Sequence, residues 1–453
     1  MGAITLIPPV LVIVIALTTK NILLALFVGL CGCSVLLNGI QFLNPLVGYI
    51  VGGVNANGTV LMLIIPLGFM LYYMKAGGGF KWFAKWARAN MTTPKKTLVL
   101  IWVMSLLSTL NDRIGELGLG PLISPVLKDQ KIAKHKSALI ISSIVPNVAS
   151  WLPFQLYFIF CSGMIGTILP GTDGASFYFK AIWFSFYTIL TVILGTLVAF
   201  RLMPDVGYMK KVQLEAEAYA SLDGEDDDPE AYLNDPVLGP PEVAPDKWAL
   251  LLPLLVLIIT MAIESFSSGG VVVEGPIWLA AIVGVAYPTI RKSVPFKDMA
   301  GNLMAGIMEQ IPIFFILLFA FSFATALGET GFTAWVVSVF SGNFPTALLP
   351  LLIFAFCTLV SYSTGSLGSA LILMLPITLP LASATGLNLL IAFGATYSGS
   401  QWGDQTSPVS DVTICCSGSH GLDPVDFSKS IMPYRAATWV ICAIAFTICG
   451  AVM

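Results

Sequence analysis

The chain alternates long apolar runs with short polar punctuation. Apolar runs cover residues 3–19, 22–40, 58–74, 136–170, 177–200, 248–263, 276–290, 310–327, 345–362, 387–417 and 432–452. A helix needs roughly 20 apolar residues to cross the hydrocarbon core, so the pattern predicts an all-α polytopic membrane protein with about 11–13 transmembrane segments. Alternating ten-residue strands of the barrel type are absent from the sequence. No basic stretch precedes the first run and no small-residue cleavage site follows it, so it reads as a retained helix. The expected location is the inner or plasma membrane, crossed many times.

Composition sharpens this. Residues are 57% hydrophobic and only 10% charged, against about 25% charged in soluble domains. Eight cysteines are present, without a CxxC pair or the His spacing a metal requires, and they read as small buried hydrophobes. The net charge of −3 is misleading as an average, because 12 of the 25 acidic residues lie between Asp205 and Asp246.

The polar punctuation sets the organisation. The acidic, proline-rich stretch around "EDDDPE" and "LGPPEVAPD" marks a linker between two hydrophobic halves. Basic clusters at Lys75–Lys96, Lys128–Lys136, Arg201–Lys211 and Arg291–Lys297 belong in the cytoplasm by the positive-inside bias. Residues 97–127 run from one such cluster to the next and are too few for two spans and a turn, so they form a re-entrant hairpin. Segments 75–90 and 293–309 look amphipathic and are expected to lie along the interface. The expected layout is N-terminal transmembrane helices in 1–57 and a first repeat in 58–203, with hairpin 97–127 and broken helix 136–170. An acidic cytoplasmic linker (204–247) and a second repeat (248–453) follow, the latter with hairpin 345–380 and broken helix 387–417. Both hairpins carry Gly-x-Leu-Gly, at Gly115–Gly118 and Gly365–Gly368, followed by prolines at 121 and 125 or 376 and 380. Counting spans makes the repeats inverted, an arrangement that places a binding site at the membrane midplane.

Chemistry concentrates in "QWGDQTSPVSDVTICCSG" (401–418), which follows a stretch from Thr330 to Gly403 without one charged side chain. Proline removes a backbone donor and displaces the carbonyl four residues earlier, so Pro408 and Pro146, in the two broken segments, should leave carbonyl oxygens unpaired. Unpaired carbonyls at membrane depth survive only where protein, water or an ion satisfies them. Together with Asp404, Asp411, Thr406, Ser407, Ser410 and Thr413 they form a set of hard oxygen donors suited to an alkali cation. The expected ion is Na+, held by Asp404 and Asp411 with Ser407 and the backbone around Pro408. A carboxylate for which Na+ and H+ compete couples their movements in opposite directions. Asp112, Arg113, Asn147, Thr364 and Ser366 are candidates for contact with a substrate, and Gln155 for a ligand hydrogen bond. Arg113 and Glu116, spaced i, i+3, are expected to pair. His135 and His420, beside basic or Gly-rich loops, read as surface residues.

These motifs resemble the NhaC-type Na+/H+ antiporters, whose superfamily also holds a sodium-lactate/proton-malate exchanger. The family pattern Gly-Asp-x-x-Ser-Pro-hydrophobic-Ser-Asp-Thr-Thr is met by Gly403, Asp404, Ser407, Pro408, Ser410, Asp411 and Thr413. "STGSLGSALILMLPITLPLA" is similar to its Thr-Gly-Thr-Ser-x-Gly-Thr element, and "LNDRIGELGLGPLISPVLKDQKIAKHKSALIISS" to its Asp-Asp-Tyr-Phe-Asn hairpin. Departures are Asn111 for the first Asp, Arg113 for an aromatic, Gly115 for Asn and Val412 for Thr. The resemblance implies a secondary active transporter, foremost an Na+/H+ antiporter working by alternating access. Its alternative is an Na+- or H+-coupled carrier of a small organic anion, of malate/lactate type, or of an amino acid. A channel would need a pore ring, and an enzyme a nucleophile with its base, a metal site or a nucleotide loop, none of which the sequence offers. Expected partners are the bilayer, Na+, H+ and, in the alternative, a small carboxylate or amino acid. A homodimer is one candidate assembly, and no nucleic acid and no cofactor beyond the coupling ions are expected.

Overall fold

A computed structural model describes residues 2–19, 21–109, 112–219, 238–268, 272–332, 334–335 and 346–452. The "EDDDPE" run and Asn111 lie outside the described residues, as do the side chains of Asp112 and Arg113.

The described chain is helical throughout, with no strand among the described residues. Its first helices are α1 (Ile7–Thr19), α2 (Ile22–Asn38), α3 (Leu43–Met62), α4 (Ile64–Ala76) and α5 (Gly79–Asn90). Then come α6 (Pro94–Ser108), α7 (Asp112–Asp129), α8 (Lys134–Ala149), α9 (Leu156–Ile168), α10 (Gly174–Ala181), α11 (Phe186–Ala199) and α12 (Tyr208–Tyr219). The second half has α13 (Lys247–Ser268), α14 (Glu274–Ile290), α15 (Met299–Glu329), α16 (Leu349–Thr364), α17 (Leu367–Thr385), α18 (Leu389–Thr406), α19 (Asp411–Ser419) and α20 (Pro424–Val452). Among the described residues, five helices are long and apolar enough to cross a membrane: α2, α13, α15, α17 and α20. The pair α10–α11, bent by 57°, makes a sixth if it is counted as one broken span. The other predicted runs are present as shorter apolar helices or as the halves of broken ones.

Two helix–turn–helix pairs stand where hairpins were expected. In α6 and α16, of 15 and 16 residues, the axial length is only about 22–24 Å, short of the hydrocarbon core. The second pair turns at Gly365–Ser366: Gly365 takes the left-handed conformation (φ 64°), and Ser366 caps α17 by accepting from Ser369 N. A Cβ on Gly365 would lie 2.6 Å from the carbonyl oxygen of Val409, so the tip rests directly on the break between α18 and α19. The first pair does the same, because Gln155 Nε2 donates to the carbonyl of Thr109 and ties the tip to the break between α8 and α9. Each hairpin also reaches across: α7 packs on α19 and α17 packs on α9.

Three expectations are corrected. Pro146 lies inside α8, and the break comes later, at 150–155, around Pro153; Gln401 Nε2 donates to the Pro146 carbonyl at 3.2 Å, close to the end of α8. Segment 293–309 is not a separate interfacial helix, because from Met299 it runs continuously into the 31-residue α15. Segment 204–247 is not all loop: it contains α12, where Gln213 accepts from Ala133 N and donates to the Lys131 carbonyl. The far end of that linker is pinned by Lys81 of the amphipathic α5, whose buried ammonium donates to the carbonyls of Pro240, Pro241 and Val243.

Candidate functional site

The broken helix α18–α19 is built by its own caps. Asn388 accepts from Leu390 N to start α18, the turn Ser407–Ser410 interrupts it, and Ser410 accepts from Thr413 N at 3.1 Å to start α19. This places two carboxylates in different surroundings. Asp404 is 4% exposed, on the last turn of α18. Asp411 is exposed, in the first turn of α19, where a negative charge complements the positive end of the helix. Of the two carboxylates expected to hold one ion, Asp404 is enclosed and Asp411 is exposed.

Hydroxyls surround the break. Ser407, Ser410, Thr406 and Thr413 are all buried. Among the described residues, Thr406 Oγ1 and Thr413 Oγ1 have no hydrogen-bond partner, and neither do Ser400 Oγ and Asn147 Oδ1. Buried polar atoms are nearly always paired, and these oxygens depart from that rule, as do the buried donors Trp151 Nε1, Gln405 Nε2 and Arg435 Nε. The other substrate candidates fare differently. Thr364 Oγ1 donates to its own helix at the Val360 and Ser361 carbonyls, and Ser366 is engaged as the cap of α17. Asp112 heads α7, and its side chain lies outside the description, as does that of Arg113 and with it the expected pairing to Glu116. Glu116 itself is buried, in electrostatic reach of Cys416 on α19. One turn further along, a Cβ on Gly120 would meet Ser419. The two helices therefore run parallel, with Asp112 and Asp411 at their matching ends.

One group was missed in the sequence. Arg435 of α20, the only charge after Lys429, is fully buried. Its Nη1 donates to Tyr187 Oη at 2.9 Å, and Nη2 donates to Ser142 and Ser143 Oγ, both at 3.3 Å. Tyr187 Oη donates to Gln405 Oε1 (3.1 Å), and Asn147 Nδ2 donates to the same oxygen (3.0 Å). An arginine inside an apolar span is itself the signal that would have found this network.

His420 is the last correction. It is 1% exposed, in the turn after α19. Its Nδ1 lies 2.7 Å from the Cys416 carbonyl, which can only accept, so Nδ1 carries the proton and Nε2 accepts from Ser137 Oγ (2.9 Å). Burial, with the nearby positive charges of Lys134 and His135, holds the imidazole down to about 4. The folded-state value is lowered, so this contribution is complete above the unfolded value near 6.5 and is lost as the pH falls towards 4. The loss amounts to roughly 3 kcal/mol. Melting temperatures measured from pH 7.5 to 4.5 are expected to fall, and His420→Gln to flatten that slope.

Helices that seat each hairpin on an interrupted helix, one of them with an oxygen-rich break, belong to a multi-pass membrane transporter of the secondary type. The chain belongs to the Na+/H+ antiporter family, whose sequence model matches residues 144–451. An uncharacterized protein of Haemophilus influenzae is 21% identical over 98% of this chain and 90% of its own length. The malate-2H(+)/Na(+)-lactate antiporter of Bacillus subtilis is 26% identical over 36% of this chain and 34% of its own. Two solved transporters share the fold at 15% identity. YdaH of Alcanivorax borkumensis has a TM-score of 0.59 and covers 91% of this chain and 89% of its own. MtrF of Neisseria gonorrhoeae, described with a class of antimetabolite efflux pumps, has a TM-score of 0.61 and covers 91% and 85%.

Proposed function

We propose that the protein exchanges Na+ for H+ across the membrane, with Asp404 as the group for which the two ions compete. The observation that carries this reading is an enclosed Asp404, one helical turn after Ser400, on a broken helix whose buried Ser400, Thr406 and Thr413 oxygens have no partners among the described residues. A carboxylate at membrane depth costs at least ~2.5 kcal/mol unless something neutralises it. Sodium and a proton each do so, and each can leave again. Ser407, Ser410 and the backbone at Pro408 complete an oxygen-only set, which suits a hard monovalent cation better than a transition metal. Asp411 adds negative potential at the approach to this set without being enclosed in it.

In everted vesicles carrying a preset pH gradient, added Na+ is expected to dissipate the gradient where an equal concentration of choline does not. No dissipation at any Na+ concentration would remove the reading. A second reading, exchange of a small carboxylate coupled to these ions, draws support from the similarity to the malate/lactate exchanger. A melting-temperature panel of organic acids and amino acids separates the two. Stabilisation by one compound only when Na+ is present would favour the second reading.

A further inference from the structure

Arg435 is a buried guanidinium that makes no ion pair among the described residues. Its surroundings are neutral: one phenol, two serine hydroxyls, and the Tyr187 ring at 5.8 Å from the guanidinium carbon. What the cation does impose is direction. Arginine can only donate, so Tyr187 Oη accepts from it and spends its own proton on Gln405 Oε1. Gln405 is thereby held with its carbonyl end inward. Asn147 then has one way to lie, since its Nδ2 donates both to Gln405 Oε1 (3.0 Å) and to the Ser143 carbonyl (2.9 Å), and neither oxygen can donate back. The remaining end of the amide, Oδ1, is buried and accepts no hydrogen bond among the described residues.

We propose that Asn147 Oδ1 is a ligand of the transported cation, and that Arg435, through Tyr187 and Gln405, is the positioning residue that turns that oxygen towards it. The proposal rests on the Na+ reading given above and adds to the broken helix α18–α19 a ligand from the first repeat. Placement supports it. The Asp404 face of α18 also carries Tyr397, which lies in reach of both Asp404 and Ser150, and Ser150 Oγ donates to the carbonyl of Asn147 at 2.6 Å. The same chain leaves Gln405 Nε2 as a buried donor without an acceptor among the described residues. A cation is therefore accepted at the Asn147 end of the pair and repelled at the Gln405 end.

The test is the Na+ concentration that gives half-maximal thermal stabilisation of the purified full-length protein, with choline as the ionic-strength control. Asn147→Ser removes the ligand and Tyr187→Phe removes the hydroxyl that fixes the polarity. Both are expected to raise the half-point at least about tenfold, the scale on which metal sites respond to loss of an orienting neighbour. Thr188→Val breaks a bond of the same network, from Thr188 Oγ1 to Gln401 Oε1 (2.9 Å), without touching the polarity chain. It is expected to lower the melting temperature and leave the half-point unchanged. Half-points within twofold of wild type in Asn147→Ser and Tyr187→Phe, in a protein that Na+ does stabilise, would overturn this proposal alone. A wild-type protein that Na+ does not stabilise would overturn the Na+ reading with it. Should Asn147→Ser fail to fold, the single-oxygen change Tyr187→Phe decides.

Discussion

Replacing Asp404 with asparagine is expected to reduce Na+-driven proton movement to the level of vesicles lacking the protein. The substitution keeps the size and one oxygen of the side chain, so the packing around a residue that is 4% exposed changes little. What it removes is the negative charge, and with it the only way this position can hold either H+ or Na+ in exchange. Loss of transport with the melting temperature within a few degrees of wild type would assign the effect to chemistry. Asp411→Asn serves as the comparison. At an exposed first-turn position its charge is worth about 0.3–1 kcal/mol to the helix, so it should slow exchange without abolishing it. Equal loss in both variants would mean that the two carboxylates act as one site despite their different burial.

The second large effect concerns the crossing of α16 and α18. Gly399 and Gly403, spaced four apart, let the two backbones touch. A Cβ on Gly399 would lie 2.3 Å from the Phe354 carbonyl oxygen, and one on Gly403 would lie 2.4 Å from Tyr362 N. Small residues at this spacing are how helices approach closely in a bilayer, where burial of apolar surface supplies no drive. Ser361 Oγ donates to the Ser400 carbonyl across the same seam. Gly399→Ala meets backbone rather than a flexible side-chain end, so the helices must part. An overpacking cost of roughly 1–3 kcal/mol outweighs the helix-propensity gain of about 1 kcal/mol, and Gly399→Val is expected not to yield folded protein. Gly166→Ala, on a helix surface with nothing within 4 Å of the added carbon, is the control and should be neutral. A Gly399→Ala protein that melts at or above the wild-type temperature would refute this account of the seam.

The sequence disclosed the architecture where a local rule was strong. Apolar runs bounded by polar clusters marked the helices, and the Gly-x-Leu-Gly and Ser-Pro elements marked the hairpin tip at Gly365 and the break at Ser407–Ser410. It misplaced features that depend on partners distant in the chain. Pro146 reads locally as a helix breaker, yet α8 continues through it to Ala149, and Gln401 from the other half of the chain donates to the Pro146 carbonyl. His420 reads as a loop residue, yet Ser137, more than two hundred positions away, closes over it. Asp404 and Asp411 look equivalent in a one-dimensional motif, and only the turn between their helices sends one inward and the other out. Arg435 was legible in principle, as a lone charge in an apolar span, but its neutral company of Tyr187, Ser142 and Ser143 left no complementary charge in the sequence to signal it.

The seating of each hairpin on the opposite repeat, α7 on α19 and α17 on α9, has a mechanical corollary. A tilt of either hairpin would pull on the far half of the interrupted helix in the other half of the chain, so the two hairpins are not free to move independently. In a carrier that alternates access, such seating ties opening towards one compartment to closing towards the other, and resists leakage through simultaneous opening.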